Sequence, residues 1–269
     1  MKPTAEIIAL VNETPDLDEY GKVDGAPWPE SAKIYDTLLN QGADSIRQVV
    51  GMLQVIDDGT DYKPRYVIHG LVMHAGKPEK QVQRKLLRET LCSELQEDYP
   101  ASIKGYLLRQ LQLCGNDSSV PVIGAFLLDE ENWEYAAQAL QAIGGNASLG
   151  QFRATLAKAA SSEKHLLTAL QALGSFQDAP SAAAVRKHLS HESETIRLAT
   201  AWALAMMADA EAVPGLLKLV DNTSGWARLQ VVDFSLTLAD KLAVAGKNAL
   251  SSKIRDHLDA AQKEEEPIS

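Results

Sequence analysis

Apolar residues recur at helical spacing along most of this chain, most clearly between Glu194 and Val220. Ile196, Thr200, Ala203, Leu204 and Met207 fall on one helical face, and Trp202 points about opposite to Leu204. Asp209 stands where an N-cap belongs. Val213, Leu216, Leu217 and Val220 then form the apolar face of a second short helix, which tolerates Pro214 in its first turn. The stretch reads as two short helices joined by a tight polar turn.

The same pairing repeats. The pattern predicts Ala43–Ile56 with Tyr62–His74, Glu79–Gln96 with Ala101–Leu113, and Ser119–Leu128 with Trp133–Ile143. It continues as Ser148–Ala160 with Lys164–Leu173, Ala179–Leu189 with Glu194–Ala208, and Ala210–Val220 with Ala227–Ala245. Pairs begin near residues 43, 79, 118, 147, 179 and 209, a spacing expected of helical solenoids. Gly115, Gly144 and Gly174 follow second helices and are expected to serve as left-handed caps. Residues 1–42 read as an amino-terminal capping segment. In it, Ala5–Val11 forms a short helix, Thr14–Pro29 a loop, and Trp28-Pro29-Glu30 opens a helix to about Asn40. Residues 43–246 carry the repeats, and 247–269 a capping helix (Asn248–Ala261) with the charged tail Lys263–Ser269. The three segments are expected to make one continuous domain.

Ile196-Arg197, Ala199, Ala203-Leu204 and Ala212-Val213-Pro214 with Leu216-Leu217 follow the pattern V-R-x-x-A-x-x-A-L, turn, A-V-P-x-L-x-x-L-L. In these residues the sequence resembles a HEAT repeat, as in bacterial HEAT-domain proteins. The third to sixth pairs are also similar to the HEAT-like repeats of phycobilisome lyases. The resemblance covers about Ala43 to Gly246 and implies an all-α fold: a right-handed α-α superhelix of about six helix pairs between terminal caps. It brings no catalytic residue with it.

Composition narrows the partner class. Lys and Arg number 26 against 36 Asp and Glu, a net charge of −10, which disfavours nucleic acid and anionic membrane. No window approaches a membrane span, and no leader pattern opens the chain, so a cytoplasmic protein is expected, or an exported one only if a signal peptide has been removed. Cys92 and Cys114 sit in apolar helical patterns and read as buried free thiols.

The sequence carries few signs of catalytic or metal chemistry. G-x-S-x-G, G-x-G-x-x-G, P-loop and H-E-x-x-H patterns are all missing, so no catalytic residue, metal or cofactor is assigned. His188 and His191 straddle a helix end and read as carboxyl-end caps. Asp57-Asp58-Gly59-Thr60-Asp61 lacks the glycine and glutamate positions of a calcium loop and reads as a turn. Lys77, Lys80, Arg84 and Arg88 share a face, with Lys85 beside them. This basic stripe is expected to be a solvated outer face, the alternative being a dock for an acidic partner.

Aligning the second helices on Leu71, Leu111, Leu140, Leu170 and Leu204 exposes a row that no local motif shows. Five residues earlier stand Tyr66, Tyr106, Tyr135, His165 and Ala199; two residues earlier stand His69, Arg109, Gln138, Thr168 and Trp202. Tyr66, His69, Tyr106, Arg109, Tyr135, His165 and Trp202 are the expected partner-binding residues, set along a concave wall. The reading is a non-enzymatic scaffold or adaptor for a protein or peptide partner. Its rivals are a chaperone- or lyase-like protein acting on a tetrapyrrole-bearing or other client, and a nucleic-acid-binding HEAT protein.

Overall fold

The computed structural model describes residues 2–16, 28–55, 60–158 and 162–265. The expected loop at Asp57-Asp58-Gly59, most of the loop before Trp28 and the last residues of the tail lie outside this range. All regular structure among the described residues is helical: fifteen α-helices with short 3-10 turns. The chain forms two compact units, Met1–Ser148 and Leu149–Ser269.

In the amino-terminal unit, α1 (Ala5–Asn12) and α2 (Trp28–Gln41) precede three pairs. The pairs are α3 (Ala43–Val50) with α4 (Tyr62–Ala75), α5 (Gln81–Glu94) with α6 (Ala101–Cys114), and α7 (Val120–Gly124) with α8 (Trp133–Ile143). Here α1 packs on α3 and α4, and α4, α6 and α8 pack in series. The unit boundary falls within α9 (Gly145–Lys158). The carboxy-terminal unit continues with α10 (Glu163–Ser175), α11 (Ala182–Arg186), α12 (Glu194–Met206), α13 (Val213–Asp221), α14 (Gly225–Val244) and α15 (Asn248–Glu265). In this unit α10, α12, α14 and α15 pack in series.

The register leucines are the core. Leu71, Leu111 and Leu140 in one unit, and Leu170 and Leu204 in the other, are all fully buried. First helices are shorter than the apolar pattern predicts. Ser119–Leu128 becomes α7 followed by a 3-10 turn, and Ala179–Leu189 a 3-10 turn followed by α11. Pro121, Pro180 and Pro214 stand at the starts of these elements, where the missing N–H has no helical acceptor to lose.

The expected glycine caps are only partly realised. Gly144 has φ +71°, but Gly115 has φ −65° and Gly174 lies inside α10. The left-handed caps of α10, α12 and α14 fall on Gln177 (φ 53°), Ala208 (φ 55°) and Gly246 (φ 76°). In each, the next residue's N–H closes the helix five residues back. Asp178 bonds Leu173 O at 3.0 Å, Asp209 bonds Leu204 O at 3.1 Å, and Lys247 bonds Leu242 O at 2.8 Å. The side chains of Asp178 and Asp209 then hold arginines. Arg153 Nε donates to Asp178 at 2.8 Å, and Arg186 Nη1 lies 3.2 Å from Asp209 Oδ2.

Candidate functional site

In the amino-terminal unit the outward face of the second helices is a grid of three helices by three rows. The row five residues before each register leucine holds Tyr66, Tyr106 and Tyr135, all half-buried. The row two residues before holds His69, Arg109 and Gln138, all exposed. A third row, two residues after, holds Met73, Leu113 and Ala142, also exposed. Contacts between helices keep these rows in line. The Tyr106 hydroxyl donates to Arg65 O on α4 at 2.6 Å, and His69 Nδ1 meets Gln110 Oε1 on α6 at 3.2 Å.

The tyrosines are therefore staples as well as surface. The Tyr66 hydroxyl is hydrogen-bonded to Tyr35, whose phenol burial and Tyr66 together hold well above its usual pKa. Burial likewise raises Tyr106. The Arg65 guanidinium lies 4.9 Å from the Tyr106 ring centre, and the Arg109 guanidinium 4.8 Å from that of Tyr135. Tyr135 in turn lies against the backbone of Gly105, where a Cβ would stand 2.8 Å from its Cε2. This face offers solvent the Arg109 guanidinium, the His69 ring and the Gln138 amide beside the apolar Met73, Leu113 and Ala142. Met73 and Leu113 are 53% and 55% exposed. Their signal in the sequence was an apolar residue two places after the register leucine, on the polar side of the helix.

In the carboxy-terminal unit the expected row is displaced by one residue on α10. His165 is only 3% exposed and Thr168 is buried, its hydroxyl bonded to Lys164 O at 2.8 Å. The half-buried and exposed stripe is instead Lys164, Leu167 and Gln171. A slip of one position turns a helix by about 100°, so Ala169 and not Leu170 matches the leucines of the other second helices. Both are fully buried, and nothing local in the sequence separates them. His165 is thus corrected from a partner-binding position to an interior one. On α12 the register holds, and Trp202 is half-buried. With Leu167, Gln171, Thr195, Leu198, Ala199, Gln230 and Phe234 it lines a cleft of about 290 Å³. No charged side chain lines it.

The basic stripe is largely engaged within its own unit. Lys80 Nζ lies 2.6 Å from Asp36 Oδ1, and Lys85 pairs with Glu89 at 3.9 Å. Arg84 donates to Ala75 O at 3.1 Å and also to Gly76 O, capping the carboxyl end of α4. His191 Nδ1 accepts the Ser193 N–H at 3.1 Å, while burial, then His191 and Lys187, lower the His188 pKa. Among the described residues no three His, Cys, Asp or Glu side chains are grouped to hold a metal ion, and no helix is long and apolar enough to cross a membrane. Cys114 is buried and Cys92 half-buried. Burial pushes the Cys114 thiol up to about 12 and raises Cys92, so both are poor nucleophiles at neutral pH.

A family model of HEAT repeats matches residues 151–233, from α9 into α14. No curated protein matches the chain. Among solved structures, an engineered protein is similar over 92% of this chain and 72% of its own, at 15% identity and TM-score 0.43. Human deoxyhypusine hydroxylase in complex with glycerol is similar over 94% and 95%, at 16% identity and TM-score 0.30. A computationally designed self-assembling cyclic homo-oligomer is similar over 96% and 88%, at 13% identity and TM-score 0.18.

Proposed function

We propose that this chain is a non-enzymatic scaffold that binds a protein or peptide segment along the outward face of its second helices. The observation that supports the reading best is the pair Met73 and Leu113. Each is more than half exposed, and they occupy one row on adjacent helices beside exposed His69 and Arg109. Scattered apolar residues on a surface are ordinary, but apolar and cationic side chains aligned on consecutive rigid helices make a prepared surface. The hydroxyls of Tyr66 and Tyr106 are already held by neighbouring helices, so these two side chains have little entropy left to lose on binding. The Trp202 cleft, at about 290 Å³, falls at the lower edge of small-ligand pockets. That size and its uncharged lining suit one apolar side chain of a partner better than a pigment.

The test is recovery of partners from the native source with the wild-type chain and with the double variant Met73→Asp, Leu113→Asp. Hydrogen exchange on the recovered complex then locates the contact. The reading expects specific partners lost in the variant, with protection gained on α4, α6 and α8 or around Trp202. Protection confined to first helices would overturn it, as would turnover of a substrate by the purified chain.

A further inference from the structure

We infer that the segment bound on α4, α6 and α8 is acidic and apolar: an extended stretch that sets a carboxylate on Arg109 and aliphatic side chains on Met73 and Leu113. The inference rests on the scaffold reading and adds the chemistry of the partner.

Arg109 carries it. The side chain is exposed and forms no ion pair among the described residues, while Arg47, Arg65, Arg153 and Arg186 each hold a carboxylate. What Arg109 does contact is the Tyr135 ring, 4.8 Å away. A guanidinium is planar, carries its N–H donors in that plane and can stack on an aromatic face. Tyr135 is itself fixed against the backbone of Gly105 on the same helix as Arg109. Arg109 thus stands at the Tyr135 ring with its donors unclaimed by a carboxylate of its own, and the group that matches a planar fork with two parallel donors is a carboxylate.

The surroundings complete the chemistry. Leu113 lies one turn along α6 from Arg109, and Met73 occupies the equivalent place on α4. His69 presents a second nitrogen base beside them, its Nδ1 already engaged by Gln110. The acidic group on this face is Glu134, at the start of α8, which accepts a hydrogen bond from Gln138 at 3.3 Å. Arg109 itself remains without an ion pair among the described residues, in a chain of net −10. Charges beyond about 10 Å are largely screened at physiological salt, so the near groups decide. Neighbouring helices lie about 8–10 Å apart and an extended chain advances about 3.3 Å per residue. Crossing three helices therefore takes roughly six to eight residues.

The experiment uses arrays of ten-residue peptides of matched hydropathy, in which aliphatic residues are combined with Asp and Glu, with Asn and Gln, or with Lys and Arg. They are probed with the full chain and with Arg109→Glu, Arg109→Lys and Met73→Asp, Leu113→Asp variants, each checked by thermal melting. The inference expects the acidic set to be retained best. Arg109→Glu should weaken it at least tenfold and shift preference to the basic set, and Arg109→Lys should keep only part of the binding. Retention of the neutral or basic set, or binding insensitive to Arg109→Glu but lost in Met73→Asp, Leu113→Asp, would overturn the acidic partner and leave the scaffold standing. If no set is retained at millimolar peptide, the scaffold reading itself fails on this face.

Discussion

Trp202 occupies the space that a side chain on Gly174 would need. A Cβ built on Gly174 stands 2.5 Å from Trp202 Cζ3 and 2.9 Å from Ala203 Cα. The glycine on α10 thus lets α12 approach backbone to backbone, and the indole lies across the gap. Register alone makes Trp202 an outward residue whose removal costs under about 1 kcal/mol, as surface changes do. Its half-buried position across α10 raises that to about 1–2 kcal/mol, at or under the lower end of the roughly 2–5 kcal/mol expected for fully buried Leu204→Ala. Urea melts of the two variants check the order.

Gly174→Ala is expected to destabilise by about 1–3 kcal/mol through overpacking. The loss should shrink when Trp202 is already alanine, because the two groups contest one space. A double-mutant cycle in urea measures this, and strict additivity would show that the helices part without using the indole.

Ala208→Gly should stabilise the chain. Ala208 holds φ 55° to close the cap of α12, a conformation that costs an L-residue about 1–2 kcal/mol. Part of that gain is lost to the unfolded freedom of glycine, leaving about 0.5–1 kcal/mol. The urea midpoint should rise with the slope unchanged. Gln177→Gly, at the equivalent cap of α10, should behave alike.

Stability should fall in acid partly through Asp178. Its pKa is lowered first by the hydrogen bond from Arg153, with Ser181 adding to it against burial. The folded carboxyl therefore binds a proton less readily than the unfolded one, whose pKa is about 3.9. Its contribution is complete above about pH 4 and disappears as pH falls through the lower folded value. Asp178→Asn should be less stable at neutral pH and flatter below pH ~4, measured by thermal melts across pH.

The basic face of α5 should not bind nucleic acid. Lys80, Lys85 and Arg84 are engaged by Asp36, Glu89 and the end of α4. Mobility shifts with duplex DNA or RNA at moderate salt are expected to show nothing below high micromolar. A salt-steep shift abolished by Arg84→Glu with Arg88→Glu would contradict this.

Much of the architecture was legible in residue order because its causes are local. Helical spacing of apolar positions, prolines at first turns and polar breaks between segments set α4, α6, α8, α12 and α13 within a few residues of their predicted limits. The register leucines of α4, α6, α8 and α12 were readable for the same reason, since a narrow periodic apolar stripe has one way to be buried. Met73 and Leu113 were visible as exceptions to that stripe, though without a reason to single them out.

What tertiary structure alone decided concerns rotation and approach. Between Leu166 and Gly174 every position of α10 except Gln171 is apolar or small, so Ala169 and Leu170 satisfy the periodicity equally. In the packed structure His165 and Thr168 face inward, while Leu167 is half-buried and Gln171 exposed at the cleft. The distance between α10 and α12 was likewise set by a missing side chain at Gly174, which reads as a cap in the sequence and acts as a contact in the fold. The amino-acid order determines which residues prefer a helix and which of its faces is apolar, because those preferences act within a few residues. Which residue fills the gap between two helices depends on groups far apart in the chain meeting at van der Waals distance, and only the packed structure settles that.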